Sequence, residues 1–236
     1  MTFSMRRFSA IFRKEVQDFK TNSQSLIMMA MPIFFAIIYS RSDNFREVGA
    51  STLITMTLVL VGGFIQAMLI AEEKEKSTLR VLMLSPASSI EVLIGKSSLT
   101  GIITVAICFI NLLILGKLEG NIALLLLFIF VLGMLIFTLI GTCIGLIAQN
   151  VPQTSTIGLP ILMVFLIGDF IAGFVKNEVV TKIVEYLPTR HIGLAVSSVI
   201  KGEDFSAITS NLLNITIWLV AVLVITLFIY RKKQMD

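Results

Sequence analysis

The chain has 236 residues, of which 56% are hydrophobic and 14% are charged, and its mean hydropathy is +0.93. A soluble domain usually carries about 25% charged residues, so this composition excludes an ordinary water-soluble protein. A core of this size cannot bury so much apolar surface, and lipid must cover the rest. The formal charge of +4 fits basic residues beside anionic lipid, and nucleic-acid binding is therefore set aside.

Six apolar runs predict an all-α membrane protein with six transmembrane helices in a single domain, residues 1–236. The runs are Ser25–Tyr39, Thr52–Ala71, Leu93–Leu115, Asn121–Ala148, Thr156–Val175 and Leu212–Tyr230. The first run is short, at about 15 residues or ~22 Å, and must recruit preceding residues or thin the bilayer. With the N-terminus inside, twelve Lys and Arg residues fall on the inner side and seven on the outer side. This bias predicts cytoplasmic N- and C-termini in a multi-pass protein of the cell (plasma) membrane.

An amphipathic helix is predicted before the first span, within residues 1–24. Its apolar residues recur every three or four positions, at Phe8, Ile11, Phe12, Val16 and Phe19. The basic residues Arg6, Arg7, Arg13, Lys14 and Lys20 occupy the rest of the helix circumference. Such a helix is expected to lie at the interface, with its apolar stripe in the inner headgroup region. Its basic residues serve either as a simple membrane anchor or as a docking face for a cytosolic partner, and both interpretations stay open.

Two short amphipathic stretches lie between the fifth and sixth spans, in residues 176–209. Pro188 separates them. Each stretch is too short to cross a bilayer, so the segment is predicted to dip into the outer leaflet and return, or to lie flat on it. A merely packed outer loop is the alternative.

The most informative stretch is the charged loop after the second span, residues 72–91. It begins Glu72-Glu73-Lys74-Glu75-Lys76-Ser77-Thr78-Leu79-Arg80 and continues through Leu82, Leu84, Ser85 and Pro86 to Ser89-Ile90-Glu91, with Gly95-Lys96 following. Helix-forming residues and alternating charge extend the second span into the cytosol, where the leucines need a partner surface. Pro86 ends that helix, and Ser89–Glu91 begins the next one.

This loop, together with the span count and the amphipathic flanks, resembles the type-2 permease family of ABC transporters over nearly the full chain. The family's loop has the form Glu-Glu-Lys-Glu-x-Gly-Thr-Leu, then leucines, Ser-Pro and a later Gly-Lys; here Ser77 replaces the glycine. The resemblance implies a connecting helix near the N-terminus, a coupling helix region in residues 72–91 that docks on a separate ATPase, and an outer re-entrant helical hairpin in residues 176–209. The coupling residues so implied are Glu72, Glu73, Glu75, Thr78, Leu79, Leu82, Leu84 and Pro86, with Arg6, Arg7, Phe8, Phe12, Arg13 and Lys14 on the interfacial helix.

Several residues are of types found in nucleotide, metal or cysteine sites, but the sequence does not support such a site at any of them. Gly95-Lys96-Ser97 lacks the earlier glycine of a P-loop, where this chain has Ile90, so ATP binding is not expected here. His191 is the only histidine, and one imidazole does not build a zinc site with three protein ligands. Cys108 and Cys143 lie inside apolar runs and act as small hydrophobes. No catalytic or metal site is therefore predicted.

For a few residues inside the spans, the sequence leaves more than one role open. Asp169 lies in the fifth span, where it either lines a translocation path or subunit interface, or reaches towards the outer leaflet. Gly62 and Gly63 in the second span are also candidates for the pathway or interface, where they permit bending, or they simply allow tight packing. Gly141 and Gly145 are spaced for close helix approach, and packing within one subunit is predicted for them.

The sequence therefore predicts the membrane-spanning permease subunit of an ATP-driven exporter for a hydrophobic or amphipathic peptide or drug. The chain is predicted not to be an enzyme and to carry no cofactor, since ATP and Mg would bind to the partner ATPase. The implied partners are two cytosolic ATPase subunits, a second permease chain in a homodimer or heterodimer, and the lipid bilayer. A non-enzymatic membrane scaffold or sensor that recruits a cytosolic partner is the alternative.

Overall fold

The computed structural model describes residues 4–76, 89–175 and 177–235, with side chains described except at 47–48, 89–93, 169–170, 172–174, 207 and 231–235. The regular elements within these ranges are helical. They are α1 (Met5–Thr21), α2 (Ser23–Tyr39), α3 (Asp43–Thr57), a π-helical segment (Leu58–Ile65), α4 (Gln66–Glu75), α5 (Ser89–Ile114), α6 (Ala123–Ile147), α7 (Val151–Phe174), α8 (Glu178–Glu185), α9 (Pro188–Ile200) and α10 (Phe205–Met235).

Five helices in the described part of the chain are long and apolar enough to cross a membrane, and the count becomes six if α1 and α2 form one bent span. α1 and α2 meet at an angle of 80°. α2 alone has 17 residues, or about 25 Å of helix, and it corresponds to the short first span of the sequence analysis. The prediction of an all-α membrane protein is confirmed, and its six spans agree with the higher count.

The second span lies at the centre of the fold. It runs over Gly49–Glu75, and 89% of the residues in its most apolar stretch are buried, against 17% in the last span. Its helix is longer than the apolar run Thr52–Ala71, because it continues through the charged residues as far as Glu75. The predicted extension of this span beyond its apolar part is therefore present up to Glu75.

Glycines allow α6 to pack directly on the second span. A Cβ at Gly141 would stand 2.2 Å from the carbonyl oxygen of Gly63, and one at Gly145 would stand 2.7 Å from that of Ala67. No side chain fits at such distances, so these positions require glycine. The predicted packing of the Gly141 and Gly145 pair within one subunit is confirmed.

The apolar stripe of α1 packs in part on neighbouring helices of the chain. Ile11 is buried at Gly95 of α5, where a Cβ would stand 2.8 Å from Ile11 Cγ2. Phe19 is buried in a cluster with Ile65 and Leu99. The second and third spans thus supply part of the surface on which this stripe packs, and its position relative to the headgroup region stays a prediction.

The segment between the fifth and sixth spans forms two short helices, α8 and α9, and Pro188 is the first residue of the second one. The predicted division at this proline is confirmed. Ile192 and Val196 of α9 are buried in the main apolar core. The second helix of the pair is therefore an integral part of the fold, and its position relative to a bilayer stays a prediction.

Candidate functional site

Four consecutive charged residues end the second span, and each contacts a different part of the chain. We call Glu72–Glu75 the charged run. Successive residues of an α-helix are about 100° apart around its axis, so four in a row point in four directions. Because the second span is central, each direction leads to another helix end.

Glu73 belongs to an ion cluster that we define as Lys14, Glu15, Glu73 and Lys96, of which Lys14 is partly exposed and the other three are buried. Lys96 Nζ lies 2.7 Å from Glu15 Oε1 and 3.2 Å from Glu73 Oε1. Lys14 donates a hydrogen bond to the same oxygen of Glu73. Lys96 is 1% exposed, Glu15 3% and Glu73 7%. Two lysines balance two glutamates, so the ion cluster is neutral as a unit, as buried charges must be.

The sequence around the ion cluster explains how its members meet. Ile11, Glu15 and Phe19 are buried and four residues apart, so they lie on one face of α1. Gly95 receives Ile11, and Lys96 follows it directly in α5. The close approach at Gly95 therefore brings Glu15, one turn further along α1, to the ammonium group of Lys96.

Lys14 stays charged in this environment. Burial by itself lowers the pKa of Lys14, but its hydrogen bonds to Glu73 and Asp18 outweigh burial and hold the pKa above its ordinary value. The distance from Lys14 Nζ to Asp18 Oδ2 is 2.9 Å. A raised lysine pKa stabilises the folded state below the ordinary value and loses that effect only as the pH rises through the folded pKa. The contribution of Lys14 is therefore constant around neutral pH.

Glu72 binds the corner between α1 and α2. Its Oε2 accepts a hydrogen bond from Asn22 Nδ2 at 3.2 Å, and its Oε1 accepts one from Lys76 at 2.6 Å. The latter bond raises the pKa of the exposed Lys76. Asn22 also accepts a hydrogen bond from the backbone N–H of Ser25 at 3.0 Å, so it caps α2 while it holds Glu72.

Lys74 and Glu75 hold the turn between α6 and α7. Lys74 Nζ donates to the carbonyl oxygens of Leu146 and Ala148 at 2.9 and 2.8 Å, at the end of α6. Glu75 Oε2 accepts from the backbone N–H of Val151 at 3.0 Å, at the start of α7. A cation at the C-terminus of one helix and an anion at the N-terminus of the next are both electrostatically favourable.

The charged run therefore fixes the ends of α1, α2, α5, α6 and α7 to the end of the second span. It lies within the predicted coupling region, residues 72–91, whose part 77–88 lies between Lys76 and α5. The contact between Glu73 and Lys96 joins the two sides of that segment. The predicted coupling residues Thr78, Leu79, Leu82, Leu84 and Pro86 lie outside the described residues, so their docking role stays a prediction.

The residues predicted on the interfacial helix divide between its two faces. Arg6 and Arg13 are exposed, and the rings of Phe8 and Phe12 stack with their centroids 6.1 Å apart. Lys14 belongs to the ion cluster. Arg7 is half-buried and makes a contact within the chain. The helix thus presents basic residues outward while one basic residue turns inward to the charged run.

The predicted pathway residues lie elsewhere. Gly62 and Gly63 are in the π-helical segment, and a Cβ at Gly63 would stand 3.1 Å from Leu162 Cδ2 of α7. Both glycines therefore contact neighbouring helices of the same chain. Asp169 is in α7, but its side chain is outside the described part, so its role stays a prediction.

The sequence analysis missed the roles of Glu15, Asn22 and Lys96. One signal for Glu15 was present, because a carboxylate on the apolar face of an amphipathic helix must find a partner when that face is buried. Lys96 gave a similar signal as a lysine near the start of an apolar run. No local pattern pairs the two, since they are far apart in sequence.

Comparison with known proteins agrees with this architecture. The family model described as ABC-2 family transporter protein matches residues 9–229, which is nearly the whole chain. A comparison with curated proteins finds no match. The members of the matched family are membrane components of transporters that associate with ABC ATPases. The chain belongs to the ABC-2 family of transporter proteins, as a multi-pass permease subunit.

Proposed function

We propose that this chain couples ATP hydrolysis by separate ABC ATPase subunits to the export of a hydrophobic or amphipathic substrate, a peptide or a drug. The single observation that carries the proposal is the charged run. It connects the end of the central span to the ends of five other helices, within the region 72–91 that the resemblance assigns to the ATPase contact.

The mechanism begins at residues 77–88, where an ATPase would push. The segment is bordered by Lys76 and by α5, and the bond between Glu73 and Lys96 joins its two sides at 3.2 Å. A displacement of the segment therefore moves the second and third spans together. Glu15 and Lys14 extend the same displacement to α1, and Lys74 and Glu75 extend it to α6 and α7.

The assembly that fits this mechanism contains two ATPase subunits and two permease chains, as a homodimer or a heterodimer. ATP and Mg bind to the ATPases, and this chain supplies the path and the mechanical connection. The N- and C-termini face the cytosol in the plasma membrane, which places the charged run on the side of the ATPases. An apolar substrate fits a chain whose spans consist mainly of aliphatic and aromatic residues.

The decisive experiment places aspartate at Leu82 in the coupling segment. We expect Leu82→Asp to leave membrane insertion intact but to uncouple ATP turnover from transport, because a carboxylate does not dock in an apolar groove. Leu82→Met is the matched control, since it keeps an apolar side chain of similar volume. The assay measures substrate-stimulated ATPase activity and flux in vesicles that contain this chain and its ATPase.

Two results would refute the proposal. One is unchanged substrate-stimulated ATPase activity and flux in Leu82→Asp. The other is solute flux from this chain in vesicles without any ATPase. If the purified ATPase turns over independently of this chain and the chain supports no flux, the scaffold or sensor alternative is favoured instead.

A further inference from the structure

A buried glutamine joins three spans in the apolar interior. Gln66 is the first residue of α4 and is fully buried. Its Nε2 donates a hydrogen bond to Ser97 Oγ of α5 at 3.1 Å and another to Thr142 Oγ1 of α6 at 3.2 Å. Gln66 lies seven residues before Glu73, a helical distance of about 10 Å. The second, third and fourth spans therefore meet at this amide, separately from the ion cluster.

These two bonds decide which end of the Gln66 amide stays unpaired. Thr142 donates its own hydroxyl proton to the carbonyl oxygen of Thr138 at 2.8 Å, so towards Gln66 it acts as an acceptor. The NH₂ group of Gln66 therefore faces Ser97 and Thr142, and both of its protons are used. The remaining atom, Gln66 Oε1, is buried without a hydrogen-bond partner in the described part of the chain. Such an oxygen is unfavourable in an apolar interior unless it finds a donor.

Thr100 carries a second unpaired oxygen on the same side of α5. It follows Ser97 by three residues, so the two lie one turn apart on one face of the helix, and it is 1% exposed. The buried threonines Thr57, Thr104 and Thr142 each donate to a carbonyl oxygen of the preceding turn, which is the usual bond of a helical threonine. Among the described residues, the hydroxyl of Thr100 has no hydrogen-bond partner. It therefore offers both a donor and an acceptor.

The contact between the second and third spans has room one helical turn from these two oxygens. Gly62 lies four residues before Gln66, and Thr104 lies four residues after Thr100. A Cβ at Gly62 would stand 3.5 Å from Cγ2 of Thr104 and 3.4 Å from its nearest neighbour, Phe137 Cβ. A methyl group would thus fit there in ordinary van der Waals contact. A buried water needs a small space of this kind and two to four polar partners.

We propose that Gln66 and Thr100 bind an internal water molecule between the second and third spans. The water donates one proton to Gln66 Oε1 and shares its second hydrogen bond with the hydroxyl of Thr100. A metal cation fits less well, because two oxygen atoms supply too little of the coordination sphere of a hard cation. The bound water completes the hydrogen bonds of a junction of three spans, and it requires neither a substrate nor an ATPase.

The first test is the sign of the change in melting temperature of the full chain in detergent when Thr100 becomes valine. Valine keeps the shape of threonine but lacks the hydroxyl. If the water is bound, Thr100→Val removes one of its partners, and the melting temperature should fall by about 2–4 °C. If the hydroxyl is simply unpaired, its removal should leave the melting temperature unchanged or raise it, and that result would overturn the proposal.

Thr104→Val is the matched control, because Thr104 donates to its own helix backbone. It should change the melting temperature by less than about 1 °C, and equal decreases in Thr100→Val and Thr104→Val would overturn the proposal. In a Gln66→Met background the water has lost its acceptor, so Thr100→Val should then change the melting temperature by less than about 1 °C. An undiminished decrease in that background would also contradict a shared water.

A structure of the full chain that resolves ordered waters gives the direct answer, also if Gln66→Met does not fold. We expect one water within about 2.6–3.2 Å of both Gln66 Oε1 and Thr100 Oγ1. A direct hydrogen bond between these two oxygens would refute the proposal. So would ordered waters elsewhere in the interior together with none at this pair.

Discussion

The two ends of the central span are held by different forces. At the charged run, the ionised side chains of Glu15, Glu73 and Lys96 have exposures below a tenth and bind one another. Glu72, Lys74 and Glu75 bind the ends of neighbouring helices. At the opposite end, α9 buries Ile192 and Val196 in the apolar core, and two hydrogen bonds join the neighbouring helices. His191 Nδ1 lies 2.8 Å from Asn211 Oδ1, and Trp218 donates to the carbonyl oxygen of Tyr186 at 2.7 Å.

This difference determines how each end responds to a change. Removing one partner of a buried ion pair leaves an uncompensated charge, which costs about 3–5 kcal/mol. Removing one neutral hydrogen bond costs about 1 kcal/mol. The geometry of the charged end is therefore the more strictly determined, which fits its proposed role in coupling.

Lys96→Met should have the largest effect. It leaves Glu15 and Glu73 with Lys14 as the only cation of the ion cluster, and we expect a loss of about 3–5 kcal/mol in the free energy of unfolding. Lys20→Met removes the same charge from an exposed position of α1 and should change it by less than about 0.5 kcal/mol. Thermal unfolding in detergent compares the two, and equal stabilities would contradict the role of the ion cluster.

A double variant sharpens the interpretation of that loss. Lys96→Met combined with Glu15→Leu removes one charge of each sign and leaves the pair of Lys14 and Glu73 neutral. We expect it to be more stable than Lys96→Met alone, with a coupling energy of about 1–3 kcal/mol. Strictly additive losses in the same unfolding assay would show that the two side chains act independently.

Lys74→Met tests the contact between the charged run and α6. The change deletes two hydrogen bonds from an ammonium group to carbonyl oxygens, and we expect a loss of about 1.5–3 kcal/mol. Lys76→Met is its control two residues further on. Lys76 forms an exposed pair with Glu72, which is worth less than about 1 kcal/mol. Similar melting temperatures for both variants would count against the proposed role of Lys74.

His191→Phe should have the smallest effect of this series. It removes one side-chain hydrogen bond at the opposite end of the span but keeps a ring of similar size, so we expect a loss of about 1 kcal/mol. The Nε2 atom of His191 is buried without a hydrogen-bond partner in the described part of the chain, which further limits the loss. A decrease as large as that of Lys96→Met would remove the distinction between the two ends.

The parts of the fold that follow from local pattern could be predicted from the sequence. The apolar run Asn121–Ala148 became α6, and the spacing of Phe8, Phe12 and Phe19 predicted α1. Pro188 divides α8 from α9 because proline fits the first turn of a helix but not its interior. These features depend on neighbours in sequence and need no knowledge of the fold.

The candidate site could be predicted only in part. The sequence singled out Glu72, Glu73 and Glu75, because a run of charges beside an apolar span is conspicuous. It assigned them to a partner protein, while the structure gives each of them a contact within the chain. Helix packing decides which neighbouring helix each side chain meets, and local sequence does not show it. The pairing of Glu15 with Lys96 depends on the close approach of Ile11 to Gly95.

The corner at Asn22 joins two helices of equal length. α1 and α2 each have 17 residues, so each arm of the bracket is about 25 Å long. A rigid tilt of the pair by about 10° about the corner would carry the far tip of α2 through about 4 Å. Asn22 holds both the cap of α2 and Glu72, and because the two arms are equally long, a tilt about this corner would move the far tips of α1 and α2 by the same distance.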